Sequence, residues 1–82
     1  MTAGCGNSRR INSAESYYDQ GIVAGQAGWL DEAFADFGQA INGKQDFAEA
    51  YCGRGAIYMA QANYDKAMAD LNRTVVLYNR TL

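Results

Sequence analysis

The chain has 82 residues, enough for one small domain, and its 49% apolar and 20% charged composition is that of a globular chain rather than a disordered one. A net charge of −2 with scattered Lys and Arg offers no basic patch for nucleic acid, and no apolar run approaches the roughly 18 residues that a membrane span needs. There is no histidine, which removes the commonest general base and metal ligand, and Cys5 and Cys52 form no C-x-x-C pair, so no metal, redox or cofactor chemistry is expected.

Residues 1–12 are rich in Gly, Ser, Asn, Thr and Arg and predict a flexible tail ahead of a domain over 13–82. Within it, Thr2-Ala3-Gly4-Cys5-Gly6-Asn7-Ser8 resembles the processing site of bacterial lipoproteins, in which small residues precede a cysteine that becomes lipidated. The usual leucine three residues before the cysteine is replaced by Thr2, and the charged and apolar parts of a signal peptide are missing. The resemblance implies lipidation at Cys5 and a place in the cell envelope. The alternative is a cysteine in a plain tail, with the domain in the cytoplasm.

Four helices follow. Asn12 with Glu15 reads as a cap that starts a first helix, about Ser13 to Gln26, carrying Tyr17, Gly21 and Ala24 on one face. Ala27-Gly28 breaks it. A second helix runs from about Leu30 to Asn42 with the stripe Ala33, Phe37, Ala40 and Ile41, and Gly43 ends it. Asp46 with Glu49 caps a third helix, Phe47 to Ala60, bearing Tyr51, Gly55 and Tyr58. Asn63 caps a fourth, from Tyr64 to about Arg80, with Ala67, Met68, Leu71 and Val75 as its inner stripe. No glycine stops this last helix, and its β-branched end needs tertiary burial to hold it.

The halves are copies. Shifted by 34 residues, Ala48, Glu49, Tyr51, Gly55, Asp65, Ala67, Ala69 and Asp70 fall on Ala14, Glu15, Tyr17, Gly21, Asp31, Ala33, Ala35 and Asp36, eight identities in 34 pairs. A fixed period of this length marks stacked supersecondary units. Gly21 and Gly55 on the first helix of each copy, facing Ala33 and Ala67 on the second, let the helices approach closely, and a Cβ at either glycine would overpack the crossing.

Two such copies, about 14–47 and 48–81, resemble the tetratricopeptide repeat. Tyr17 and Tyr51 stand at the large-aromatic position and Gly21 and Gly55 at the glycine. Tyr58 matches the tyrosine, and Ala33 with Phe37 and Ala67 with Leu71 match the alanine–x3–aromatic spacing. The leucine before each glycine is replaced by Gln20 and Arg54, Thr74 departs from a small position that Ala40 keeps, and the closing proline is missing from both copies. The resemblance implies an all-α fold: four antiparallel helices in two stacked helix–turn–helix repeats, forming a short right-handed α-solenoid. It also implies a non-catalytic module that binds a peptide or partner helix in a concave groove lined by the first helix of each repeat. The matching positions are Glu15, Tyr18, Ile22 and Gln26, then Glu49, Cys52, Ala56 and Met59. Spacings of three, four and seven put each group on one helical face. The Lys and Asn with which some members clamp a carboxylate are missing from these positions, so an apolar or basic-and-apolar segment is the expected ligand.

Cys52 reads as a small half-buried residue, since no histidine exists to activate it. The carboxylates Asp31, Glu32, Asp36, Asp65 and Asp70 read as helix starts and outer faces rather than a paired-carboxylate site. The competing reading is structural. Arrays of this kind usually need three or more repeats, and the face bearing Val76 and Leu77 is expected to pack against another copy, giving a homo-oligomer, or against further repeats of a longer array. The partner itself is written in no motif.

Overall fold

In a computed structural model, which describes residues 13–81, the chain forms α1 (Ala14–Gln26), α2 (Leu30–Gly43), α3 (Ala48–Ala60) and α4 (Tyr64–Thr81). The tail, Cys5 and Asn12 lie outside the described residues. Four boundaries differ from expectation by one residue, and the caps explain two of them. The first helix is capped by Ser13, whose Oγ accepts the Ser16 backbone N–H at 3.1 Å. The third starts after Phe47 rather than being capped by Asp46. Phe47 makes no side-chain cap bond and is buried to 6% exposure, so it anchors the helix start through packing instead.

The two interhelix turns inside the hairpins repeat each other in detail. The N–H of Trp29 donates to the carbonyl of Ala24 at 2.9 Å, and 34 residues later that of Asn63 donates to Tyr58 at 2.8 Å. Each turn passes through one left-handed residue, Gly28 at φ +85° and Ala62 at φ +61°. This is the six-to-one closure that ends many helices. Glycine adopts that φ freely; alanine does so with strain.

Each helix packs on its sequence neighbour, α1 on α2, α2 on α3 and α3 on α4, and α1 touches α3 briefly. The result is two antiparallel helical hairpins stacked side by side, the arrangement expected of a repeat solenoid. The core lies where α2 meets α1 and α3. One cluster joins Ala14, Ala40, Ile41, Phe47 and Ala50; another joins Ala24, Ala33, Phe37 and Ile57. Phe37, 2% exposed, sits at the centre. A Cβ placed on Gly21 would come within 2.8 Å of its ring, and one on Gly53 within 2.6 Å, so the ring is wedged between two helices that have given up their side chains to admit it. Gly55 plays the same part against Leu71 in the second hairpin, where a Cβ would stand 3.2 Å away.

The inner stripe of α4 is the expected one only in part. Ala67 is buried and Leu71, 37% exposed, rests on Gly55, but Met68 and Val75 are 63% and 57% exposed. The face turned to α3 carries Ala67, Asp70, Thr74 and Leu77. It can bury polar groups because each is bonded. Arg54 Nε and Nη2 donate to the two Asp70 carboxylate oxygens at 2.8 and 2.9 Å. The Thr74 hydroxyl reaches the carbonyls of Asp70 at 3.0 Å and Ala48 at 3.3 Å, tying α4 to the start of α3. That contact accounts for a threonine at a position where the first hairpin has Ala40.

Candidate functional site

The first helices of the two hairpins, α1 and α3, stand apart over most of their length, and a cleft of about 320 Å³ opens between them. Its small residues set its depth. Gly21 and Gly25 on α1, and Gly53, Ala56 and Ala60 on α3, recur at helical spacing and leave the Phe37 ring as the floor, with Ile22, Leu30 and Ile57 as apolar walls. Gln26 is the one polar side chain of the lining, and none of the lining side chains titrates. Such a cleft holds an aliphatic or aromatic side chain and offers no acid, base or nucleophile.

Of the eight groove positions read from the sequence, Ile22, Gln26 and Ala56 line this cleft. Tyr18, Glu49 and Cys52 gather next to it. The Tyr18 ring packs on Phe37 and Phe47 at 5.8 and 5.2 Å between centroids. Its phenol is raised above its usual pKa by burial first and then by the nearby Glu49, Cys52, Tyr78 and Asp19. Glu15 turns toward Lys44, 4.0 Å away at the end of α2, with both side chains about half exposed, a contact that contributes little in water. Met59 is half exposed and lies outside the cleft lining. Cys52 is exposed, not half-buried, and is a free thiol. The missed members are Gly25, Leu30, Gly53, Ile57 and Ala60, and Gly21 and Phe37, read as packing residues, line it as well. The small-residue spacing 21/25 and 53/56/60 is the signal that points to the small ones among them.

The expected self-association pair is divided by the structure. Val76 is 47% exposed, whereas Leu77 is 4% exposed because it belongs to the buried stripe of α4. Adjacent helical residues point about 100° apart, so the two cannot share a face. The exposed apolar surface of α4 is formed instead by Tyr64, Met68, Leu71, Val75 and Val76.

A second cavity, about 370 Å³, lies against α1 and α2, with Val23 and Trp29 exposed at 63% and 60% and with Asp19, Glu32 and Asp36 around them. The Asp36 carboxyl is raised above the ordinary carboxylate range, first by burial and then by the charge of Glu32. Its counterpart in the other hairpin, Asp70, has Arg54; at the matching position the first hairpin has Gln20. Among the described residues no group of three or more His, Cys, Asp or Glu could hold a metal ion, and no helix is long and apolar enough to cross a membrane.

Residues 48–75 match the family model of the tetratricopeptide repeat, and the four-helix fold with its repeated turns fits that repeat. The matched segment covers α3 and most of α4; the first hairpin repeats its geometry. Tetratricopeptide repeats are in general protein–protein interaction modules. Among curated proteins and solved structures, none matches the chain.

Proposed function

We propose that the chain acts without catalysis, docking an extended peptide or partner helix in the cleft between α1 and α3. The observation that carries this reading is the Phe37 floor, reached between Gly21, Gly25 and Gly53 and walled by aliphatic side chains. The occupant it suits presents one aliphatic or aromatic anchor to the cleft and a basic residue toward Glu49, the exposed carboxylate beside Tyr18. Peptides selected on the chain from a display library test this. Ala56→Glu places a charge on the exposed lip of the cleft, and the expected result is at least a tenfold rise in Kd by fluorescence anisotropy with an unchanged melting curve. Unchanged affinity moves the docking site elsewhere.

A second reading is favoured by the exposed strip of α4. Tyr64, Met68 and Val75, all at least 57% exposed, share one apolar face of the kind that marks an interface. In this reading the chain is a self-association unit, or packs there against further repeats.

A further inference from the structure

We propose that copies of this chain join head to tail, the strip Met68–Leu71–Val75 on α4 of one copy seating on the Val23–Trp29 face of α1 and its turn in the next. The proposal rests on the self-association reading and adds the second surface, its residues and the geometry.

The argument starts from the junction already present inside the molecule. There α2 meets α3. Phe34 packs edge-on against Tyr58 at 5.3 Å, Phe37 sits on Gly53 and beside Ile57, and Ile41 clusters with Ala50. Moving the α2 side of that junction forward by one repeat turns Phe34, Phe37 and Ile41 into Met68, Leu71 and Val75. Moving the α3 side back by one repeat turns Ala50, Gly53, Ile57 and Tyr58 into Ser16, Asp19, Val23 and Ala24. Each end of the molecule thus presents one half of a joint that is filled in the middle. Both halves keep exposed apolar surface: 63% at Met68 and 57% at Val75 on one side, 63% at Val23 and 60% at Trp29 on the other. The new joint is shallower than the internal one. Asp19 stands where Gly53 admits the Phe37 ring, and Leu71 is correspondingly the shorter knob.

Charge disfavours one alternative. From Ala14 to Gly43 there are five acidic residues, Glu15, Asp19, Asp31, Glu32 and Asp36, and no Lys or Arg, and three of them surround Val23 and Trp29. Two α1–α2 ends meeting would juxtapose acid with acid. The strip of α4 carries no such charge, since Lys66 and Arg73 lie over the Tyr58 and Tyr51 rings of α3, and the head-to-tail contact is the pairing that repeats the internal joint. Such a contact is heterologous, so it leaves a free face on each outer copy and continues to add copies.

Two variants of the full chain test the proposal. Met68→Glu/Val75→Glu spoils the α4 face, and Val23→Glu spoils the α1 face; all three positions are exposed, so the fold is expected to survive, as circular dichroism checks. By sedimentation equilibrium the unaltered chain is expected to grow past the dimer as concentration rises, with a blue shift in the emission of Trp29, the single tryptophan. Each variant alone is expected to lose association. An equimolar mixture is expected to give a 1:1 dimer and nothing larger, because each variant retains the face that the other lacks. A mixture that stays monomeric overturns the proposal. So does a Val23→Glu variant that still dimerises, which would leave self-association standing through α4 faces alone. An unaltered chain that is monomeric at every concentration overturns both.

Discussion

Arg54 shows how a single side chain can settle which way a helix faces. It stands at a position where the repeat pattern has leucine, and it uses its length to reach 16 residues along the chain to Asp70, which is 6% exposed. The hydrogen bonds to Asp70 raise the guanidinium pKa more than burial lowers it, so the charge is held by its partner. Its guanidinium also lies 5.6 and 5.9 Å from the ring centres of Tyr51 and Tyr58. Arg54→Ala leaves a nearly buried carboxylate with two acceptors unmet. We expect a loss of about 2 kcal/mol in a denaturant titration, the range of hydrogen bonds to charged groups. A loss within a few tenths would mean that water replaces the guanidinium at no cost. The sequence displays Arg54 only as a departure from the leucine. Its partner is invisible there, since one residue of a pair carries no mark of the other.

At the scale of the element, the turns are the most repetitive part of the molecule and also where it holds strain. Gly28 and Ala62 occupy the same left-handed position in their hairpins, at φ +85° and +61°. An alanine there costs about 1–2 kcal/mol relative to its ordinary conformations. Part of that is offset in Ala62→Gly by the greater freedom of glycine in the unfolded chain, so the variant is expected to gain about 1 kcal/mol. For a domain of this size the melting temperature then rises by about 4–8 °C; no rise would show that the turn relaxes around alanine. Helix positions were legible from periodicity and from the breaks at Gly28 and Gly43, to within a residue or so at each end. The inward face of α4 was not. Its two stripes, 67/70/74/77 and 64/68/71/75, both have helical spacing, and apolarity favours the second. The first is buried because Arg54 and the Ala48 carbonyl satisfy Asp70 and Thr74, and the second stays exposed because it corresponds to the α2 face that meets the following hairpin.

For the molecule as a whole, the decisive contact is the Phe37 ring between Gly21 and Gly53, since it joins the two hairpins through one side chain. Gly53→Leu would force the ring out of the joint. The expected cost is about 1–3 kcal/mol, and the two hairpins are expected to lose their shared transition. Trp29 reports on the first hairpin and far-ultraviolet circular dichroism on both, so the two melting curves should coincide in the unaltered chain and part in the variant. Curves that remain superimposed would place the coupling elsewhere. The duplicated architecture was legible because eight paired identities survive at one offset, and through it Ile22, Gln26 and Ala56 of the cleft lining were legible too. The exact depth was not, because it depends on Gly53, whose counterpart in the first copy is Asp19 and which therefore leaves no trace in the repeat pattern. The floor of the cleft and the wedge between the hairpins are the same ring. A guest resting on that ring would therefore act as a second clamp on the hinge line, and recognition at this surface and rigidity of the whole array would rise and fall together.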